Sequence, residues 1–405
     1  MNLHVYVAPC GIGLGHITRS LPIAEELERR GNQVAFSTYL DGLDFAKHNH
    51  LPTYEAIPIN FRVTNDGTID FKRTAATSGF SLGIRTFLRQ VTLEIKFMKN
   101  FKPDVVLSDS RASSLVAARL MRIPVVLMLN QFSIDIIRRP TTRSMSLFDR
   151  LFFFIANLGW RFVRTAIALV WGRSQLILIP DLPAPYTISV GNLAIPKRYI
   201  HKVKLIGPIV NSNGQTAQNQ NQMKHRLGFS GAQPLVYAAV SGPKVERETL
   251  ANLLSDSLET SSDDYEVVLS RGDPKGGREP RRVHGATVYE WIENQDDFIK
   301  ASDLVVSRAG HGTIMKSLVY GKPMVLVPIP EHTEQYGNAR RAASLHVAQV
   351  LDQNRLTHQT LKLAIHELLQ NTEYPSHSAE IMKTATSLHA IDAACEAISR
   401  QVKTS

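Results

Sequence analysis

Short apolar runs recur along the chain, each bounded by polar or glycine-rich residues, and helical apolar periods fill the gaps. In the first half the runs are LHVYVAP (3–9), QVAFST (33–38), VVLSD (105–109), VVLML (125–129) and LILIP (176–180). Runs that are apolar at successive positions predict strands covered on both faces, and their alternation with helices predicts a parallel sheet. Helices fit over 16–30 and 113–122. A second series follows: LVYAAV (235–240), EVVLS (266–270), ATVYEW (286–291), DLVVS (303–307) and PMVLVP (323–328). Between the two series, LIGPIV runs into NSNGQTAQNQNQ, a polar stretch that reads as a linker. Residues 378–402 read as one long helix. The pattern predicts an α/β chain of two Rossmann-like domains, 1–208 and 223–380, joined by a linker over 209–222 and followed by a C-terminal helix over 381–405. Ligands are expected in the cleft at the facing carboxyl ends of the two sheets.

Composition narrows the function classes. The 405 residues are 43% hydrophobic and 20% charged, which suits a globular chain with ample core. The net charge of +10 favours an anionic partner. Cys10 and Cys395 build no disulfide framework and suit a reducing compartment. The sequence opens directly in a strand pattern, with no basic segment or cleavage site of a signal peptide, so a cytoplasmic location is expected. No nucleic-acid-binding module is visible, and nucleic acid is not expected as a partner.

The first strand runs into GIGLGHITRS (11–20). A dinucleotide loop would need a third glycine where His16 stands, and an acidic residue at the end of the second strand, which instead ends in Ser37 and Thr38. What survives is strand, tight turn over Gly13 and Gly15, then helix. His16 sits at that helix's N-terminus, where the dipole favours the neutral ring, a form that can act as a base. The turn alone is equally compatible with a simple cap.

The second half carries a sharper pattern. Strand DLVVS ends in SRAGHGT, a small-residue turn that opens a helix at Gly312–Thr313. Free backbone N–H groups and the helix dipole make an anion site there, with Arg308 as a fixed cation and Thr313 as a hydroxyl, a set that suits a diphosphate. His311 and His332 add polar groups. The next strand ends in PIP, and the following EHTEQ puts Glu334 and Gln335 at the cleft edge, a carboxylate and an amide that can bracket sugar hydroxyls.

At these residues the chain resembles the GT-B nucleotide-sugar glycosyltransferases, chiefly the peptidoglycan N-acetylglucosaminyltransferases of the MurG type and the UDP-glucosyl/glucuronosyl transferases. The stretch EWIENQDDFIKASDLVVSRAG (290–310) follows the family's base-to-phosphate segment without a gap. The resemblance implies that Trp291 and Ile292 flank the base. It places Arg308, Gly310, His311, Gly312 and Thr313 at the diphosphate, with Ser241 and Gly242 as a second phosphate turn. Glu334 and Gln335 fall on the donor sugar, and GLGHITRSLPIAEELERRG is the acceptor-domain opening. By the same resemblance His16 is the base of an inverting transfer, and Asp109 at the end of VVLSD holds it; Asp104, which opens that strand, is the weaker candidate partner. One departure stands out: the family's ribose-binding glutamate is here Lys316, which cannot accept those hydrogen bonds. The donor is expected to be UDP-linked. No D-x-D spacing occurs, so no metal or other cofactor is expected, and the helix end and Arg308 are expected to meet the diphosphate charge.

Residues 138–173 hold seven arginines against Asp149 alone, amid Phe, Trp and aliphatic residues. Arginines interrupt the apolar runs too often for a bilayer span. The pattern predicts an amphipathic helix on an anionic membrane surface, on the inner face of the cell membrane, with a lipid or polyprenyl-linked glycan as acceptor. Packing of that helix on its own domain is the competing reading. GLGHITR also resembles the G-x-G-H-x-x-R start of a nucleotide-sugar hydrolase, so hydrolysis or 2-epimerisation on the same scaffold is the alternative activity.

Overall fold

A computed structural model describes residues 2–58, 80–132, 147–210, 220–242, 244–258, 264–283, 285–330 and 332–403. The first half forms β1 (His4–Pro9), α1 (Gly15–Arg29), β2 (Gln33–Thr38), α2 (Leu40–His48), β3 (Thr53–Glu55), α3 (Phe80–Phe101), β4 (Val105–Asp109), α4 (Ala112–Leu120), β5 (Val125–Met128), α5 (Leu147–Trp171), β6 (Leu176–Ile179) and β7 (Val203–Leu205). The strands make one parallel sheet in the order β3-β2-β1-β4-β5-β6-β7. The switch in strand order between β1 and β4 opens a crevice at their carboxyl ends.

The second half forms β8 (Leu235–Ala239), α6 (Lys244–Leu258), β9 (Glu266–Ser270), β10 (Arg281–Val283), β11 (Ala286–Tyr289), α7 (Gln295–Ala301), β12 (Leu304–Ser307), α8 (His311–Val319), β13 (Met324–Leu326), α9 (Thr333–Ser344), β14 (Ala348–Val350), α10 (His358–Gln370), α11 (Glu373–Thr386) and α12 (Ala390–Lys403). Its sheet runs β10-β11-β9-β8-β12-β13-β14 and is parallel except for β10, which pairs antiparallel with β11. Each sheet is covered on both faces by helices, giving two apolar clusters per half. Among the described residues the architecture is the expected pair of doubly wound α/β halves. Of the expected linker, residues 211–219 lie outside the described residues.

The single helix expected over 378–402 is two. α11 ends at Thr386, and α12 starts at Ala390. Between them Leu388 packs on Gly207, whose φ of +92° and close contact with the Leu388 side chain favour glycine there. The chain then turns back, and Ala390, Ala394, Cys395 and Ile398 of α12 join Val5, Val7, Ile23 and Leu27 in the core of the first half.

Candidate active site

The turn after β1 is built to expose a side chain. A Cβ at Gly11 would lie 1.8 Å from the Tyr39 carbonyl oxygen, so no larger residue fits. Gly13 takes φ +66°, and its N–H donates to Asp41 Oδ2 at 3.0 Å. α1 then starts at Gly15, with Ile17, Ser20, Ile23, Ala24 and Leu27 on its buried face. His16, its second residue, keeps 25% of its side chain exposed.

The expected partner is in place. Asp109, the last residue of β4, is fully buried, and its Oδ1 lies 2.8 Å from His16 Nδ1. Asp104 serves elsewhere, accepting the His4 N–H at 2.8 Å. Arg19, a turn beyond His16, sends Nε to Asp109 Oδ2 at 2.7 Å and Nη2 to Oδ1. Burial alone would raise the Asp109 carboxyl, but the Arg19 charge and then His16 outweigh it and hold it well below the usual carboxylate range. Ser20 Oγ adds a 3.4 Å bond.

The sequence reading marks Arg19 only as the last residue of G-x-G-H-x-x-R and gives Asn130 no role. Arg19 Nη1 donates to Asn130 Oδ1 at 3.2 Å, and Asn130 Nδ2 donates to Glu334 Oε1 at 2.6 Å. Glu334 lies in the first turn of α9, in the other half. One hydrogen-bonded path therefore runs from His16 through Asp109, Arg19 and Asn130 to Glu334, across the cleft. Asn130 stands two residues past the end of β5, and that strand-end position was the only signal for it in the sequence.

The glycine turn after β12 differs in kind. α8 starts at His311, one residue before the expected opening. A Cβ at Gly15, Gly310 or Gly312 would meet nothing within 4 Å, so the backbone at all three borders open space. Thr313 is half-buried. Arg308 does not present a cation to that space. It is 2% exposed, and its Nη1 donates to the Val327 carbonyl at 3.1 Å, because the strand-end position turns it under β13. His311 is buried with Nε2 3.2 Å from Asp181 Oδ2 of the first half, an electrostatic contact off the hydrogen-bonding direction. Asp181 also accepts the Leu182, Ile188 and Ser189 N–H groups at 2.7, 3.1 and 2.8 Å. Burial opposes its charge, but His311 and the Ser189 bonds hold the carboxyl below its ordinary value.

The remaining expected donor residues line the same edge of the second sheet. Ser241 and Gly242, the latter with φ +118°, follow β8. Trp291 and Ile292 are buried after β11, with the Trp291 N–H donating to Gly277 at 3.3 Å. Gln335 is buried, its Oε1 accepting the Ile329 N–H at 3.0 Å. Lys316 does not reach for solvent; its Nζ meets Asp296 Oδ1 at 2.6 Å. The two halves also join through Asn192 Nδ2, which donates to Asn338 Oδ1 at 3.0 Å, and Arg341 Nε, which donates to the Thr187 carbonyl at 2.9 Å.

Two family profiles match the chain. The glycosyltransferase family 28 C-terminal domain matches residues 228–393, and glycosyl transferase family 1 matches residues 4–151. An uncharacterized glycosyltransferase of Methanosarcina mazei is 25% identical over 410 residues, 99% of this chain and 98% of its own. The UDP-N-acetylglucosamine–N-acetylmuramyl-(pentapeptide) pyrophosphoryl-undecaprenol N-acetylglucosamine transferase of a Sulfurihydrogenibium species is 23% identical, with 94% of each chain covered. Among solved structures, the spinosyn rhamnosyltransferase SpnG superposes with a TM-score of 0.66 at 18% identity, covering 98% of this chain and 100% of its own. With glycosyltransferase profiles on both halves, full-length glycosyltransferase relatives and the twin-sheet fold in common, the chain belongs to the GT-B glycosyltransferases.

Proposed function

We propose that this glycosyltransferase moves a sugar from a nucleoside diphosphate, UDP in the first instance, to a hydroxyl acceptor with inversion at the anomeric carbon. The observation that carries the reading is the His16–Asp109 pair, set at the carboxyl edge of the first sheet and linked across the cleft to Glu334. Asp109 accepts from Nδ1–H, which leaves Nε2 as the basic nitrogen. The acceptor hydroxyl gives its proton to Nε2 as its oxygen bonds to the anomeric carbon. The bond from that carbon to the diphosphate oxygen breaks, and its electron pair leaves with the nucleotide. A single displacement of this kind, assisted by one base, inverts the anomeric carbon.

For the donor, the α8 N-terminus offers backbone N–H groups beside Gly310 and Gly312, with His311 close by, and this neutralisation needs no metal. Glu334 and Gln335 are assigned to the sugar, and Trp291 and Ile292 to the base. SpnG has also been solved with thymidine diphosphate, which supports a nucleotide in this cleft. Arg308 acts from beneath the loop, as a brace for the backbone rather than as a contact.

The acceptor is assigned to a lipid surface. α5 leaves Leu151, Phe154, Ile155, Leu158 and Phe162 exposed, with Arg150 and Arg161 beside them, while Trp171 anchors its end in the core. Among the described residues no helix is long and apolar enough to cross a membrane, so α5 is read as lying on the surface. Residues 138–146 of the basic segment lie outside the described residues.

The test is nucleotide release from labelled UDP-sugars with and without a polyprenyl-linked or lipid acceptor, in EDTA. Release that needs the acceptor, survives EDTA and yields the inverted linkage supports the reading. Equal release without any acceptor points to a hydrolase. In a companion sedimentation assay the protein should pellet with vesicles containing anionic lipid, and Arg150→Gln with Arg161→Gln should free much of it, each arginine being worth about 1 kcal/mol near the surface.

A further inference from the structure

Two neighbours of opposite charge set the His16 ring. The fully buried Asp109 carboxylate lies 2.8 Å from its Nδ1. Arg19 supplies the counterweight. Its Nε and Nη2 fork onto both oxygens of Asp109, and Nη2 stands 3.2 Å from His16 Nδ1. A second positive charge on the ring would then meet a cation already in contact with it.

We propose that Arg19 is a positioning residue of the transfer: it takes up the charge of Asp109 and so holds the His16 ring in its working orientation, and Asn130 ties that guanidinium to Glu334 on the donor side. The proposal rests on His16 being the base. Three further observations support it. Asp109 and Arg19 both stay charged, the first held low and the second raised because the attraction between them outweighs the burial of each. The other charged groups around the turn are otherwise engaged. Arg111, just past β4, is paired with the buried Glu94, and Asp41 of α2 holds the Gly13 N–H. Cys10 at the end of β1 lies against the Tyr39 hydroxyl at 3.3 Å, and burial pushes its thiol up, so it adds no charge. Finally, among the described residues Glu334 is linked to the pair through Asn130 and Arg19, and its negative charge strengthens the Arg19 cation.

Asn130 closes the path: its amide donates to Glu334 while its carbonyl accepts from Arg19.

The experiment compares the parent with Arg19→Gln and Arg19→Lys. The proton uptake of the His16 ring is followed by NMR in the free protein, and the pH profile of transfer is measured alongside. In Arg19→Gln the ring should take its proton about one pH unit or more higher. Transfer at pH 7 should fall by about tenfold and recover as the pH is raised, while UDP affinity is kept. Arg19→Lys, which keeps the charge and loses the fork, should shift less and in the same direction. It also decides the matter if Arg19→Gln does not fold. A folded variant whose ring titrates as in the parent, or whose rate is lowered by one factor at every pH, would show Arg19 to be a structural brace only. If the parent transfers no sugar at all, the assignment of a base fails, yet the ring titration still reads the coupling between Arg19 and His16.

Discussion

The two glycine-rich turns of this molecule look alike on paper and differ in what they present. GIGLGH follows β1 and SRAGHG follows β12, and each opens a helix at the cleft. Around the first, ionisable side chains gather: His16, Arg19 and Asp109, with Glu334 reached from the facing half. Around the second, the charged side chains have turned inward or found partners. Arg308 lies under β13, and His311 faces Asp181, leaving glycine backbone beside open space. Moving a proton needs a side chain whose charge can change, and it needs partners that set that change. Holding an anion of fixed charge needs only oriented N–H groups, which glycine exposes best.

Four substitutions break or sharpen this contrast. The largest effect is expected at the first turn: His16→Ala should lower turnover by roughly 10²–10⁴-fold, the usual worth of a positioned base, with UDP affinity by calorimetry unchanged. Turnover near the parent's would take the chemistry away from this turn. At the second turn, Gly310→Ala adds a methyl group into open space at an ordinary φ of −70°. The melting temperature should hold, while UDP affinity drops by roughly 10–100-fold through loss of one or two charge-assisted N–H contacts. An unchanged affinity would move the diphosphate elsewhere.

Arg308→Met is expected to do the reverse. It strands the buried Val327 carbonyl, so stability should fall by about 1–3 kcal/mol, with a smaller loss of affinity than Gly310→Ala causes. Denaturant unfolding and calorimetry together decide it. The smallest effect is the acid response of the first turn. The Asp109 carboxyl is held low in the folded chain, so its charge stabilises the fold above the unfolded value of about 3.9 and that gain is lost as the pH falls below it. The stability gap between the parent and Asp109→Asn should shrink as the pH falls below about 4. A gap that stays level into stronger acid would mean that Asp109 is not the ionised centre of the turn.

Much of this was legible from pattern alone. β1, β4, β8 and β12 are continuous apolar runs buried on both faces, and nothing else in the sequence competes for those segments. β3, β7, β10 and β14 are three-residue strands towards the sheet edges, too short and too mixed to register as strands. The His16–Asp109 pairing was readable through the family resemblance, which places a helix-start histidine beside an aspartate at the end of another strand. The bonds of Arg19 and Asn130 were not, since no part of the resemblance gives either residue a partner, and only the folded chain brings Arg19 to Asp109 and Asn130 to Glu334. The inward turn of Arg308 was equally hidden, because a strand-end side chain can face the cleft or the core and only packing decides.

The helix Ala390–Lys403 has a consequence for how the molecule comes into being. It packs on the face of the first sheet on which α1 lies, so one flank of the helix carrying His16 is covered by residues made long after it. At ordinary synthesis rates the roughly 190 residues separating β7 from that helix take about 10–40 s to appear. During that interval Ile23, Leu27 and their neighbours wait with one flank bare, within reach of chaperones or of one another. The first half is therefore finished last although it is made first, and a chain cut short before Ala390 should lose the half that was synthesised earliest.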